Sequence, residues 1–355
     1  MAKQLLLVTG GAGFIGSAMI RHLIGETDVD VVNVDALTYA ADLRNLSKVE
    51  HDPRYRFELA DIRSASEVAR IFEQHRPTSV LHFAAETHVD RSIDDPLVFV
   101  ETNVLGTATL LRAACRHWRA LSPAEQAKFR FLHVSTDEVY GSVDGTSACT
   151  EASPYRPNSP YAASKAAADH LVRAWHKTYG LPAIISNSSN NFGPYQFPEK
   201  LIPLMIINAL GGRPMPVYGR GENVRDWLFV KDHARALWMI LNAGRIGECY
   251  NVGGGNELRN IDLVAMICDL LDECAKLLPG RKSRRELITF VADRPGHDLR
   301  YALDIRKLNQ ELGWQPTQPF ETALRQTIDW YLANEVWWSP LRAAAQERLG
   351  FIGVA

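Results

Sequence analysis

The sequence predicts an α/β chain: a doubly wound parallel sheet joined to a smaller, mixed C-terminal domain that would hold a substrate. Three observations point there. Short apolar or β-branched runs alternate with helix-forming stretches through the first half. A glycine-rich turn separates the first run from the first helical stretch. After about Asn190, prolines and glycines cluster and the alternation stops.

The strand-like runs are Leu5–Thr9, Val29–Val34, Arg56–Leu59, Ser79–Phe83, Phe129–Ser135 and Ala183–Asn187. Each of the first five leads, after a turn, into a longer stretch with helical spacing or composition, such as Phe14–Ile24 and Ser64–His75. That order implies right-handed crossovers and a parallel sheet covered on both faces. Residues 1–190 therefore form a dinucleotide-type domain. Beyond it, turn-rich segments at Phe192–Pro203, Gly211–Gly221 and Gly253–Gly255 separate helical stretches at Leu201–Leu210, Ile261–Leu277 and Phe320–Ala333. Residues 191–355 then make mostly the second domain. Asp226–Leu241 reads as a further strand and helix, so that about 226–250 return to the first domain.

Composition excludes several function classes. The chain has 355 residues, 46% hydrophobic and 23% charged, with a formal net charge of −2, so no basic field draws it to nucleic acid or anionic lipid. Its five cysteines are scattered with no C-x-x-C pair, which fits a reducing compartment better than a disulfide framework. The histidines form no H-E-x-x-H cluster, and no metal is expected. Met1-Ala2-Lys3-Gln4 and the short apolar run Leu5–Val8 are not a signal peptide. No apolar stretch suggests a transmembrane span. A cytoplasmic location is expected.

Gly10-Gly11-Ala12-Gly13-Phe14-Ile15-Gly16 satisfies G-x-G-x-x-G between a strand and a helix. Glycines there permit the tight turn and let backbone N–H groups reach a pyrophosphate at the positive helix end. Asp35 closes the second strand about twenty residues on, where a carboxylate accepts from a ribose 2′-OH and repels a 2′-phosphate. The pattern is Rossmann-type and the cofactor it selects is NAD, with Leu37 and Thr38 just past the aspartate on the cofactor side. Asp61-Ile62 after the third run and Phe83-Ala84-Ala85 after the fourth would border adenine and pyrophosphate. The small residues Ala84 and Ala85 suit close approach, although sheet packing would use them equally well.

Tyr161-Ala162-Ala163-Ser164-Lys165 opens a helical stretch, and i, i+4 spacing puts the phenol and the ammonium on one face. A tyrosine, with a reference pKa of about 10, needs nearby positive charge to act as a base near neutrality. Lys165 and an oxidised nicotinamide ring would supply it. Ser135-Thr136-Asp137-Glu138-Val139-Tyr140-Gly141 ends the fifth run, at the strand end where open parallel sheets bind ligands. An isolated Asp-Glu pair is usually a solvated turn. Facing a Tyr/Lys site it suits water elimination, in which one group removes a carbon-bound proton and another protonates the leaving hydroxyl.

Five segments carry a family resemblance: Ala-Ala-Glu-Thr-His-Val-Asp-Arg-Ser at 84–92, Thr-Asp-Glu-Val-Tyr-Gly at 136–141, Asn-Asn-Phe-Gly-Pro-Tyr-Gln-Phe-Pro-Glu-Lys-Leu at 190–201, Asn-Val-Arg-Asp-Trp at 223–227 and Asp-Arg-Pro-Gly-His-Asp at 293–298. Together they resemble the dTDP-glucose 4,6-dehydratases, in the nucleotide-sugar branch of the extended short-chain dehydrogenases/reductases. The likeness runs from the first strand to Trp337-Trp338, and the one departure is a longer basic stretch, Lys276–Arg285, expected to lengthen a loop.

The resemblance implies a redox-neutral cycle: oxidation at sugar C4, loss of water across C5 and C6, and return of hydride to C6. Tyr161 and Thr136 would act on the 4-oxygen, Glu138 would take the C5 proton, and Asp137 would protonate the departing C6 hydroxyl. By the same carry-over, Thr87, Asn190, Lys200 and Leu201 would line the pocket for the nucleotide sugar. So would Pro216, Tyr218, Arg225, Asn260, Arg294 and His297. Three of these, Lys200, Arg225 and Arg294, suit a diphosphate. Thr102 and Asn191 would lie on the cofactor side. A nucleotide-sugar 4-epimerase shares the ketone step but has no use for the acid/base pair. A non-catalytic dinucleotide sensor would be expected to have lost the Tyr/Lys pair, which is present here. Pro96–His117 and Tyr161–Tyr179 carry apolar residues on more than one face (Leu105, Leu110, Leu111; Leu171, Val172, Trp175), and a homodimer is expected through them.

Overall fold

The computed structural model describes residues 4–349. Residues 1–3 of the N-terminal reading, and residues 350–355 of the second-domain assignment, lie outside the described residues. Six strands follow the predicted runs closely: β1 (Leu5–Thr9), β2 (Asp30–Asp35), β3 (Tyr55–Leu59), β4 (Ser79–His82), β5 (Arg130–Thr136) and β6 (Ala183–Ser188). The rest are β7 (Asn190–Phe192), β8 (Met215–Tyr218), β9 (Val224–Phe229), β10 (Cys249–Val252), β11 (Glu257–Arg259) and β12 (Ile288–Val291).

Seven strands form one sheet in the order β10-β6-β5-β4-β1-β2-β3, every pair parallel. The chain runs outward from β1 to β3, then crosses back to β4 on the other side of β1. Its reversal point is the gap between the ends of β1 and β4, where such sheets hold ligands. Two smaller sheets follow, β11-β9-β7 and the parallel pair β12-β8.

Helices cover both faces. On one, Met19, Ile20 and Leu23 of helix Phe14–Glu26 pack with Leu237, Ile240 and Leu241 of helix Val230–Ala243. On the other, Val68, Ile71 and Phe72 of helix Ala65–His75 meet Leu110, Leu111 and Ala114 of helix Thr107–Arg119, with Val172 of helix Pro160–Tyr179. A separate core joins Ile202, Met205 and Ile206 to Leu263, Ile267 and Leu271, with Leu324, Ile328 and Tyr331.

Three segments depart from the pattern. No α-helix links β2 to β3; the connection holds only a 3-10 turn, Leu43–Leu46. That loop is tied to the glycine turn instead, since Asp42 N and Asn45 Nδ2 both donate to Ala12 O, at 3.0 and 2.9 Å. Of the strand and helix expected over Asp226–Leu241, the helix packs on the large sheet, but the strand, β9, pairs with β7 and β11. Its follower β10 takes the large sheet's edge beside β6. Finally, the expectation that no stretch reaches transmembrane length is corrected: the continuous helix Pro96–Arg119, 24 residues, is long and apolar enough to cross a bilayer. Its length accumulates across a π-helical segment, Val100–Gly106, and here its apolar side packs on the sheet through Leu110, Leu111 and Ala114.

Candidate active site

The glycine turn is shaped by close approach. Gly10 has φ +72°, and a Cβ on it would sit 2.6 Å from Ala84 N, so the β1 and β4 ends meet there with no room for a side chain. A Cβ on Gly16 would sit 2.2 Å from Gly10 O. Gly13 caps helix Phe14–Glu26 without a side-chain hydrogen bond, which leaves its first-turn N–H groups facing the cleft for an anion. Asp35 lies at the end of β2 with Oδ2 accepting from Ala12 N (2.9 Å) and Oδ1 from Leu37 N (2.8 Å). Burial raises its pKa while those two amides oppose the shift. Leu37 adopts φ 52° and contributes its backbone; its side chain is not in the cleft wall.

A cleft of ≈ 340 Å³ opens at the reversal point. Gly10, Gly13, Phe14, Ile15 and Gly16 form one wall, and Asp35, Thr38, Asp61 and Ile62 continue it. Phe83, Ala84, Ala85 and Thr102 also line it, as do Thr136–Glu138, Tyr161, Lys165 and Asn191. Asp61 is held by Arg63, whose Nη2 donates at 2.7 Å; burial raises the carboxyl, but these hydrogen bonds prevail and its pKa falls. The uncapped helix start, the glycine cradle and the Asp35 carboxylate fit the pyrophosphate and ribose of a dinucleotide.

Thr136 ends β5 and caps the 3-10 turn Asp137–Tyr140, its Oγ1 accepting from Glu138 N at 3.3 Å. Ser159 caps helix Pro160–Tyr179 by accepting from Ala162 N, with Pro160 preset for the first turn, so Tyr161 is fixed within that turn. Asn103, from the π-helical segment, donates to Ser164 Oγ (2.9 Å) and to Glu86 O (3.0 Å), joining this helix to the loop after β4. Lys165 is buried and donates to Val134 O at 2.8 Å; burial pushes its pKa down to about 8, against the pull of Asp169. Burial, then the Glu138 charge, pushes the Tyr161 phenol upward, opposed by a hydrogen bond with Thr136.

The two carboxyls differ in their surroundings. Asp137 is buried, and burial, Glu138 and Asp226 together raise its pKa well above the usual range. Glu138 keeps a little surface at the cleft floor, and its pKa is raised by burial but pulled back by Arg294, Arg225 and Lys200. Both carboxyls are thus shifted toward the neutral form, Asp137 the more strongly; Arg225 opposes the shift at both, and Arg294 and Lys200 oppose it at Glu138. Two adjacent carboxyls in different surroundings can hold different protonation states.

Among the carried-over substrate residues, Thr87, Asn190 and Lys200 line the cleft, and Lys200 Nζ donates to Thr87 O at 3.3 Å. Leu201, Pro216, Tyr218, Arg225, Asn260, Arg294 and His297 do not. Several of them meet around Asp90 instead: Arg294 Nη1 is 3.1 Å from its Oδ1, Tyr218 OH donates to its Oδ2 at 3.4 Å, and His297 stands edge-on to Tyr218. Arg225 is buried under Tyr301 and donates to the carbonyls of Val224 and Asp298. Leu201 and Asn260 begin helices Leu201–Leu210 and Asn260–Cys274, and Pro216 lies in β8 beside Thr289.

Sequence reasoning passed over Glu86, Ser135, Phe197 and Glu199, all in the cleft wall. Glu199 accepts from Tyr39 OH at 2.8 Å, and the Arg91 guanidinium stacks 3.7 Å from the Tyr39 ring centroid. Glu86, Phe197 and Glu199 lie inside quoted motifs, and Ser135 directly precedes one; position in a motif was their only signal.

Residues 7–327 match the family model described as GDP-mannose 4,6 dehydratase. The chain is 54% identical over 351 residues to the dTDP-glucose 4,6-dehydratase of Salmonella typhimurium, covering 96% of each chain. It is 56% identical over 349 residues to that of Neisseria meningitidis serogroup B, covering 97% of this chain and 98% of the relative. The structure of DesIV, a dTDP-glucose 4,6-dehydratase from Streptomyces venezuelae with NAD and TYD bound, superposes with a TM-score of 0.87 at 48% identity, over 95% of this chain and all of that one. A UDP-glucose 4-epimerase from Thermus thermophilus in complex with NAD is further off, at 29% identity and TM-score 0.81, over 93% of this chain and 100% of that one.

Proposed function

The chain belongs to the dTDP-glucose 4,6-dehydratases, and from that premise we propose that it converts dTDP-glucose to dTDP-4-keto-6-deoxyglucose as an NAD-dependent hydro-lyase. The observation that carries the proposal is the Asp137–Glu138 pair, both raised by burial but Asp137 well above the usual range and Glu138 opposed by three cations, at the end of a cleft that also holds Tyr161 and Lys165. A 4-epimerase gives such a pair no work.

An NAD held by the Gly10–Gly16 turn and Asp35 would supply the acceptor for hydride from C4 and its donor to C6 and, in its oxidised form, positive charge beside the phenol. The chain supplies the rest. Tyr161 takes the proton of the sugar 4-OH, with the Thr136 hydroxyl on the same oxygen. Lys165 is held by the Val134 carbonyl with its charge beside the phenol. Once C4 is a ketone, Glu138 removes the C5 proton and Asp137 delivers its own proton to the C6 hydroxyl, which leaves as water. Glu138 returns its proton to C5 as hydride reaches C6, and the proton taken by Tyr161 balances the one Asp137 must regain before the next turnover. Lys200, in the cleft wall, offers positive charge for the diphosphate, while Arg225 and Arg294, outside that wall, add to the positive field around Glu138. Deuterium placed at C4 of the substrate should be found at C6 of the product by NMR, undiluted by added NADH. Label retained at C4 would remove the dehydratase reading and favour the epimerase.

Two copies should pair through helices Pro96–Arg119 and Pro160–Tyr179. Leu110, Leu111 and Val172 are consumed by the chain's own core, which leaves Leu97, Val100 and Leu105 of the first helix and Tyr179 of the second exposed. A monomeric mass by light scattering at micromolar concentration would remove the dimer. A cytoplasmic location suits NAD chemistry on a nucleotide sugar and the five unpaired cysteines.

A further inference from the structure

The loop between β2 and the 3-10 turn Leu43–Leu46 is pinned at both ends to the dinucleotide site. Leu37 N donates to Asp35 Oδ1 at 2.8 Å, and Asp42 N donates to Ala12 O at 3.0 Å. Between them Ala41 N donates to Thr38 O at 3.0 Å, closing a turn that carries Tyr39. Thr38, Ala40 and Ala41 line the cleft, and Tyr39 does not. Its side chain instead joins this loop to two other segments that do.

The phenol OH donates to Glu199 Oε1 at 2.8 Å, and the ring meets Phe197 edge-on at 5.7 Å between centroids. Both partners lie between β7 and helix Leu201–Leu210, and both line the cleft. From helix Val89–Asp94, the Arg91 guanidinium stacks 3.7 Å from the Tyr39 ring centroid while its Nη1 lies 3.1 Å from Glu86 Oε2. Glu86 belongs to a third stretch of the wall, after β4. Glu86 and Glu199 are both buried, and a buried carboxylate needs hydrogen bonds or an opposite charge. Arg91 gives Glu86 the charge, and Tyr39 gives Glu199 a charge-assisted hydrogen bond. Burial, then the Glu199 charge, pushes the phenol upward, so it keeps its proton and is the donor. Three stretches of the cleft wall are thus tied together through one aromatic ring.

We propose that Tyr39 is a positioning residue that works as a strap: bonded to Glu199 and stacked by Arg91, it fastens the dinucleotide loop to the other two stretches of wall and gates the entry and exit of NAD without touching it. For the walls to part, the Tyr39–Glu199 bond and the Arg91 stack must break together. The strap also bears on turnover. Hydride taken from C4 reaches C6 on the same cofactor only if the reduced form stays in place through the elimination. That consequence rests on the dehydratase reading, whereas the gate rests on the cofactor cleft alone.

Tyr39→Phe removes the hydroxyl and keeps the ring for Phe197 and Arg91. Arg91→Lys keeps a charge for Glu86 and gives up the planar stack. Release is read on the holoenzyme by exchange of its bound NAD against isotopically labelled NAD, and Kd by equilibrium dialysis of the same protein. Tyr39→Phe should exchange about 10- to 100-fold faster, the range for a hydrogen bond to a charged group. Arg91→Lys should exchange about 2- to 5-fold faster, as expected for a cation–π contact. A gate speeds entry and exit alike, so Kd should stay at the parent value in both variants. Loss of an ordinary binding or packing contact falls on the release rate and raises Kd with it. Exchange at the parent rate in Tyr39→Phe would overturn the proposal, and so would a Kd that rises in step with the rate. Should Tyr39→Phe not fold, Arg91→Lys decides by the same two readings. Neither measurement contains the sugar, so a dehydratase reading sunk by the C4 label would leave the strap standing, and a failed strap would leave the reaction standing.

Discussion

Asp137 and Glu138 are chemically near-identical groups set in different surroundings, and the roles proposed for them differ accordingly. Asp137→Asn should leave C5 deuterium exchange with solvent detectable while blocking loss of the C6 hydroxyl. Glu138→Gln should abolish the exchange while sparing oxidation at C4. Identical behaviour of the two in single-turnover absorbance and exchange assays would refute the division of roles. Asp137 also predicts a stability effect, with a definite sign. Its folded pKa lies above the unfolded one, so the folded state binds its proton more tightly and stability falls as pH rises from the unfolded value toward the folded one. Asp137→Asn removes that loss. The variant should melt higher than the parent at pH 8, and the difference should vanish near pH 4. Asp35 works differently, as its oxygens already anchor two backbone amides while facing the ribose site. Asp35→Ala should speed NAD loss about 10- to 100-fold, the range for hydrogen bonds to a charged group, read from the NAD(H) retained after gel filtration.

The functional groups are placed by how elements end. β1 ends in a turn that admits no side chain against Ala84, β5 ends in a Thr-capped 3-10 turn, and helix Pro160–Tyr179 begins on a Ser cap with proline following. Gly16→Ala would drive a methyl into Gly10 O, and backbone cannot yield as a flexible side chain can. That variant should lose NAD retention and at least about 1–3 kcal/mol of stability, measured by urea unfolding. The β2–β3 connection is the element least like its sequence pattern. Helix-forming composition there is overridden because Asp42 and Asn45 spend their hydrogen bonds on Ala12 O, pinning the loop to the dinucleotide turn. Local propensity is a weak prior where tertiary partners compete.

Across the whole molecule, the segment nearest the C-terminal end of the described chain is coupled to the cofactor turn near its start. Trp337 Nε1 donates to Asn45 Oδ1 at 3.0 Å, and Asn45 in turn holds Ala12 O. The Trp337 ring packs against Trp330 and Tyr195, and Tyr195 lies under the Arg21 guanidinium. Trp337→Ala should cost about 3–5 kcal/mol, the usual range for a buried aromatic, and should also weaken NAD retention although Trp337 is not in the cleft wall. Trp337→Phe keeps the ring packing and removes the indole donor, so a retention defect in that variant would isolate the hydrogen bond. Unchanged retention in both would show that the two ends stabilise the fold independently.

Periodicity determined the six leading strands and the parallel order, because burial on both faces writes continuous apolar runs into the sequence. Glycine spacing, with an acid about twenty residues on, marked the dinucleotide turn, since only certain residues tolerate those backbone positions. Motif position gave Tyr161, Lys165 and the Thr136–Glu138 triplet. The sequence could not assign β9 to a separate sheet, since pairing partners are chosen by long-range register and not by local pattern. Nor could it distinguish the states of Asp137 and Glu138, adjacent in the chain. Burial raises both, and the difference comes from Asp226 at Asp137 and from Arg294 and Lys200 at Glu138, residues more than sixty positions away that only folding brings near. Nothing in the local sequence marks Asp169 out on its long helix; its burial against Ser135 and Tyr155 is a product of helix-on-sheet packing. Local sequence specifies which chemistry is available, and the charges and burial that assign each group its protonation state arise between segments that the chain order keeps apart.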